Sequence, residues 1–318
     1  HRFQVIAKLI EEFMVLPEGR TEFIPGKTRM PLSGPTYGSP EVIEALDSLL
    51  STWVTMGRKV AAFEEMMAAY IRQPKGVMVN SGSSANLIAL AALDLHPGDE
   101  VIVPALTWGT SIFPIAQVGA IPVLVDVNPD SYTINPEAIE AAITPRTKAI
   151  MVVHLLGHAA DMDTIMSIAD RHDLRVLEDV CQGIGAEYKW RKAGSFGNLA
   201  TFSFFYSHHL STIEGGMILC NDVLANRCRS LRAHGWIREM WEKGDIAKAN
   251  PSIDPRFLFA YAGYNMRPTE IAGAFGVHQL PRLDSEIEHR RSLAGFFNTE
   301  LQAYDEWLKL PTEALSTH

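Results

Sequence analysis

From Gly76 onward the chain alternates between two apolar patterns. GVMVN (76–80), EVIVPA (100–105), IPVLVDV (121–127), KAIMVVHL (148–155) and RVLED (175–179) are short, β-branched-rich and almost unbroken apolar runs. Between most of them apolar residues fall at helical spacing, over Ala85–Leu95, Ser111–Val118, Pro136–Ala142 and Met162–His172. Strands apolar on both faces and separated by helices predict an α/β fold with a mostly parallel sheet covered on both sides. In such sheets ligands sit at the carboxyl ends of the strands, so chemistry is to be sought just after these runs.

The flanks are less regular. A short helical pattern over Phe3–Met14 leads into the Pro/Gly-punctuated arm FIPGKTRMPLSGPTYG (23–38). A helix begins at Pro40, with Ser39 as N-cap and proline at the first helical position. Another starts near Lys59, with Val60, Phe63, Met67 and Tyr70 on one face. Beyond ATFSFF (200–205) come the strand GMILC (216–220), a helix near Val223–His234, a long polar connection, and helices from about Arg267 and Leu283. These patterns divide the chain into an arm (1–38), a large α/β domain (39–282) and the start of a small C-terminal domain (283–318), most of it missing. The chain starts without Met, and both of its ends read as incomplete.

Composition narrows the class. With 318 residues, 47% apolar and 20% charged, the chain can bury a sizeable core and carries no low-complexity tract. A net charge of −9 disfavours a broad nucleic-acid-binding face while leaving room for a local anion pocket. No apolar run is long enough to span a bilayer, and no signal-peptide pattern opens the chain. Three cysteines, Cys181, Cys220 and Cys228, have no tight pairing, as expected of reduced thiols in a cytoplasmic protein.

The residues just past each strand carry the chemistry. SGSSAN after GVMVN places Gly82, with Ser81, Ser83 and Ser84, at a helix N-terminus. N–H groups, hydroxyls and the positive dipole end suit a phosphate there, although the same residues also make an ordinary cap. In LTWGTS, Trp108 stands just past a strand end, where it either stacks on a planar ring or packs beneath a loop. Asp179 ends the apolar strand RVLED. A carboxylate in that position either caps a helix, pairs with a cation of the chain, or meets a cationic ligand such as a protonated pyridine nitrogen. Gln182 lies three residues on and can reach a second ring substituent. After ATFSFF, Ser203 can donate to a phosphate, His208 reaches the space of Trp108 and Asp179, and Glu214-Gly215-Gly216 forms a turn that permits close backbone approach. Together these describe one pocket with a phosphate cup, an aromatic lid, a carboxylate for a ring nitrogen and a base. A pyridoxal-type cofactor requires that set.

The order SGSSAN, VPALTW, VHLLGHAADMD, LEDVCQGIGAEYKWRKAGSFGN, TFSFF…EGGM and GYNMRPTEIAGAFG resembles the DegT/DnrJ/EryC1/StrS group of vitamin-B6-dependent, nucleotide-sugar-modifying enzymes, over about Ile24 to Leu280. The resemblance implies the fold type I (aspartate aminotransferase-like) architecture of pyridoxal phosphate (PLP) enzymes. It also implies that Gly82, Ser83 and Ser203 hold the cofactor phosphate, Trp108 stacks on the pyridine, Asp179 pairs its nitrogen and Gln182 contacts the ring hydroxyl. Asn265 would reach the phosphate from the other subunit of a homodimer with shared active sites.

One position departs from the family's aminotransferases. Their pattern Ser-Phe-x-x-x-Lys supplies the lysine that forms the Schiff base with PLP. Counting from Ser203 lands on His208, and no lysine occurs between Lys192 and Lys243. Imidazole forms no stable imine but exchanges protons near neutral pH. This exchange is similar to the family's sugar 3-dehydratases. It implies C3 deoxygenation of a nucleotide-linked 4-keto-6-deoxy sugar, using pyridoxamine phosphate (PMP) recharged by an amino donor such as glutamate. The arm FIPGKTRMPLSG resembles that of the CDP-sugar 3-dehydrases, whose iron–sulfur cluster needs four cysteines; with three badly grouped cysteines here, no cluster or other metal site is expected. The alternative is a sugar aminotransferase served by another base or a lysine from outside this segment, and Gln182 favours it. A non-catalytic B6-binding regulator is a third reading. His209 is expected to point away from the pocket, and His154, His158 and His234 to be satisfied structural histidines.

Overall fold

The computed structural model describes residues 2–15, 24–29 and 37–312. Half of the arm FIPGKTRMPLSGPTYG and the last six residues lie outside them. The chain opens with helices α1 (Arg2–Val15), α2 (Ser39–Leu50) and α3 (Arg58–Ile71), then strand β1 (Lys75–Val79) and helix α4 (Gly82–Ala92). Next come β2 (Glu100–Pro104), α5 (Gly109–Gln117), β3 (Ile121–Val125), α6 (Pro136–Ala142), β4 (Thr147–Val153), α7 (Met162–His172) and β5 (Arg175–Asp179). A small hairpin, β6 (Glu187–Tyr188) and β7 (Arg191–Lys192), precedes β8 (Leu199–Ser203) and β9 (Gly216–Cys220). The chain ends with α8 (Asp222–Arg232), α9 (Lys243–Ala249), α10 (Glu270–Gln279) and α11 (Leu283–Leu301).

Seven strands form one sheet in the order β1-β9-β8-β5-β4-β2-β3. Within this sheet, among the described residues, only β9 runs antiparallel to its neighbours; the other pairings of the sheet are parallel. This is the mostly parallel sheet that the unbroken apolar runs predict.

Side chains alternate strictly across it. Met78, Ala200, Phe202, Met217 and Leu219 face a cluster built with Phe63 and Met67 of α3. Val77, Val79, Leu177, Leu199 and Ile218 face the other way, onto Ile88 and Leu90 of α4 and Leu231 of α8. The same parity puts Asp179 and Thr201, partners in the β5–β8 register, on the α4 side. Glu178, one residue earlier, points to the opposite face.

Several element ends differ from the sequence reading. The N-cap of α2 is Gly38 rather than Ser39, because the Glu41 carboxylate accepts the Gly38 N–H at 3.0 Å and completes the first turn from inside. Helix α4 begins at Gly82, three residues earlier than the apolar periodicity indicates, since Ser81 accepts the N–H of Ser84 at 3.1 Å. Helix α9 lies within the long polar connection of the sequence reading, and the β6–β7 hairpin in a segment to which that reading gives no element.

His154 and Glu178 explain how the sheet holds the loops beside the site. Both are fully buried, and His154 Nε2 lies 3.0 Å from Glu178 Oε2. The Ala160 N–H donates to His154 Nδ1, so the proton of the neutral ring sits on Nε2 and is given to Glu178. The N–H groups of Gly194, Phe196 and Gly197 also donate to that carboxylate, at 2.7–2.8 Å. His154 is thus a satisfied structural histidine.

Candidate active site

At the carboxyl ends of β1, β2, β4, β5 and β8 the structure has a cavity of about 620 Å³. Gly82, Ser83, Trp108, Asp179, Gln182, Ser203 and His208 line it, together with Ser81, Thr107, Thr110, Ser111, Val153, Cys181, Phe205, Ser207 and Glu214. Seven of the eight residues selected from sequence therefore share one space. The eighth, Asn265, does not line it. Asn265 is exposed, bridges its backbone to Ala233 and accepts from Arg267 through its side-chain oxygen.

The end of the cavity at the N-terminus of α4 is built by close backbone approach. A Cβ at Gly82 would lie 2.5 Å from Ser203 Cβ and 3.1 Å from Cys181 Sγ, so only glycine lets β8 meet the N-terminus of α4 here. A Cβ at Gly216 would fall 2.3 Å from the Ser81 carbonyl oxygen, which explains the second glycine of the Glu-Gly-Gly turn. The result is a helix N-terminus with free N–H groups and two serines at its rim.

Asp179 is buried, and all its donors are neutral. Its Oδ2 accepts from Asn86 Nδ2 at 2.9 Å and from Ser111 Oγ at 2.8 Å, and its Oδ1 accepts the Cys181 N–H at 3.0 Å. A carboxylate takes about four hydrogen bonds; these three donors and the Cys181 thiol beside it leave the cavity-facing carboxylate without a charged partner. Among the described residues no Lys or Arg lines this cavity. A buried carboxylate without a cation of its own fits a protonated ring nitrogen. Neither Asn86 nor Ser111 stood out in the sequence, although each belongs to a motif that did. Asn86 lies one helical turn beyond Gly82, and Ser111 lies three residues beyond Trp108.

His208 sits on a loop closed at its base by hydrogen bonds from Phe204 N to the Gly215 carbonyl and from Thr212 N to the Phe204 carbonyl, both 2.9 Å. The Phe205 ring packs edge-on at 6.1 Å from the imidazole. Burial lowers the His208 pKa from its ordinary 6.5; the Asp179 charge opposes this and Arg290 adds to it. The ring is therefore neutral at pH 7, the form that accepts a proton. His209 is absent from the cavity lining, and burial lowers its pKa to about 4. Trp108 is 69% exposed at the cavity wall, free to lie over a ligand.

The family model for the DegT/DnrJ/EryC1/StrS aminotransferases matches residues 37–318. The chain belongs to that family. GDP-4-keto-6-deoxy-D-mannose 3-dehydratase of Yersinia pseudotuberculosis is 40% identical over 277 residues, covering 84% of this chain and 70% of that protein. GDP-perosamine synthase of Caulobacter vibrioides is 38% identical over 292 residues, covering 91% and 74%. A solved Escherichia coli GDP-4-keto-6-deoxy-D-mannose-3-dehydratase with bound hydrated PLP superposes with a TM-score of 0.81 at 37% identity, covering 86% of this chain and 73% of that one. The α/β architecture is therefore that of the fold type I PLP enzymes of this DegT/DnrJ/EryC1/StrS family. Among the described residues no helix is long and apolar enough to cross a membrane.

Proposed function

We propose that the chain is a PLP/PMP-dependent nucleotide-sugar 3-dehydratase, removing the C3 oxygen of a nucleotide-linked 4-keto-6-deoxy sugar. The observation that carries this is His208 in the cavity, at the position where the aminotransferase pattern has lysine, with no lysine among the lining residues. The E. coli dehydratase with hydrated PLP supports a cofactor held without a lysine link.

When bound, the cofactor supplies an amine that joins the ketone and a protonated ring that takes up an electron pair. The chain's own residues do the rest. Asp179 would face the ring nitrogen and keep it protonated. The N–H groups of Gly82 and Ser83, with the Ser203 hydroxyl, would hold the phosphate, Trp108 would cover the ring and Gln182 would meet its hydroxyl. Neutral His208 would take a proton at the cofactor's C4′ carbon and give it to the departing C3 hydroxyl, which leaves as water. The amine nitrogen would leave as ammonia when the sugar ketone is released, and an amino donor such as glutamate would replace it.

Among the described residues the cavity is lined by two carboxylates and no Lys or Arg, so the N–H groups and dipole of α4 are the main support for a phosphate there. A homodimer in which Asn265 of a second copy adds an amide hydrogen bond, though no charge, fits that site. The three free thiols suit work in the cytoplasm.

The GDP-perosamine synthase relative and Gln182 favour amino transfer as the second reading. Incubation with GDP-4-keto-6-deoxy-D-mannose, PLP and glutamate separates the two. The expected product, by NMR, is a 3-deoxy-4-keto sugar. A 4-amino sugar that retains the C3 oxygen, or no turnover with GDP-, CDP- and dTDP-linked 4-keto-6-deoxyhexoses, overturns the reading.

A further inference from the structure

We infer that Asn86 is a positioning residue for Asp179, and that Thr201 fixes the orientation of the Asn86 amide. This rests on the proposed cofactor site and assigns the residues that hold its carboxylate in place.

The geometry leaves the Asn86 amide one arrangement. At one end of the side chain lie two groups that only accept, the Thr110 carbonyl at 3.1 Å and Asp179 Oδ2 at 2.9 Å. That end must be the NH2, and both of its hydrogens are used. The amide oxygen then faces Thr201, whose hydroxyl donates to it at 2.6 Å. A flipped amide would set its oxygen against two acceptors; the Thr201 hydroxyl can serve either end of the amide, so the acceptor pair decides the orientation. Thr201, Asn86 and Asp179 are all buried, and neither Thr201 nor Asn86 lines the cavity, so a partner lost between those two is costly.

The fold brings these three together for a reason visible in the sheet. Asp179 and Thr201 are register partners on adjacent parallel strands and project to the same face. Asn86 is on the helix covering that face, one turn in from the phosphate-binding end. One helix thus presents N–H groups to the phosphate through its first turn and an amide to the ring's carboxylate through its second. The Ser111 hydroxyl, itself receiving a hydrogen bond from Thr107 at 2.9 Å, is the second donor to Oδ2. With Oδ2 held twice, the carboxylate cannot rotate, and Oδ1 stays on the cavity side.

An aligned carboxylate raises the proton affinity of a cationic partner by about 1–3 pH units. Releasing one of its two Oδ2 donors is expected to forfeit about one of these. The test monitors bound PLP by absorbance while pH is varied, using dialysed PLP-loaded protein. Asn86→Ala is expected to lower the midpoint of the ring-nitrogen transition by about one pH unit and to weaken PLP retention about tenfold. Thr201→Val is expected to lower the same midpoint, and Thr201→Ser, which keeps the hydroxyl, to restore it.

A folded Asn86→Ala protein with the wild-type midpoint overturns the inference and leaves Asn86 as a core residue only. Should Asn86→Ala not fold, the Thr201 pair decides, since an unmoved midpoint in Thr201→Val overturns it equally. Wild-type protein that retains no PLP sinks the cofactor site and this inference together, whereas unmoved midpoints in variants that do retain PLP sink only the inference.

Discussion

His208→Asn is expected to cut C3 deoxygenation by about 10²–10⁴-fold while PLP retention stays at the wild-type level. The two outcomes separate because the imidazole is no part of the phosphate cup or of the carboxylate that faces the ring. Asparagine fills a similar volume and hydrogen-bonds, but it does not take up a proton near neutral pH. The pH profile adds a sign. Burial depresses the His208 pKa below 6.5, so the base form persists to lower pH than in a free histidine, and kcat/KM should fall only as pH drops through a value under 6.5. The residual rate of His208→Asn should lack that limb. Steady-state kinetics across pH 5–8 with the GDP-linked 4-keto sugar measure both, and wild-type activity in the variant removes His208 from the mechanism.

The second large effect is on stability. Arg232, at the end of α8, is buried, and its guanidinium donates to Glu64 Oε1 at 2.7 Å and to the Met78 carbonyl at 2.6 Å. Glu64 also accepts the Met78 N–H at 2.8 Å. This pair ties α3 and α8 to β1, the strand that leads into Ser81 and Gly82 at the cavity. Arg232→Met keeps the apolar stem but leaves Glu64 buried without a counter-charge, which costs about 3–5 kcal/mol. Urea unfolding at pH 7 measures it. A loss under about 1 kcal/mol would show that Glu64 finds another partner or water.

Much of the site was legible because strand ends in a parallel sheet converge. Unbroken apolar runs located β1, β2, β4 and β5, the segment ATFSFF marked β8, and the residues at or just after these strand ends gave seven cavity-lining positions without any knowledge of contacts. The lysine-to-histidine exchange was visible as a count from Ser203. Features that depend on partners distant along the chain stayed hidden. Asn86 looks like a polar interruption in a helix until Asp179, 93 residues later, and Thr201, 115 residues later, are seen on either side of it. The Arg232–Glu64 pair spans 168 residues and leaves no periodic signal. At the start of α2 the serine and proline suggested one cap, but Glu41 reaching back to Gly38 made another. Asn265 has its full meaning only if a second copy of the chain completes the site, and no single-chain geometry supplies that.

The proposed mechanism depends on a cofactor that is kept in place without a bond to the protein. Borohydride reduction of the PLP-loaded chain, then intact mass and peptide mapping, tests this most directly. The predicted result is an unmodified protein that nonetheless retained PLP through dialysis before reduction. A stoichiometric mass increment of reduced cofactor on one lysine would contradict it, because that lysine would then hold the role assigned here to noncovalent contacts and would return the enzyme to the aminotransferase pattern.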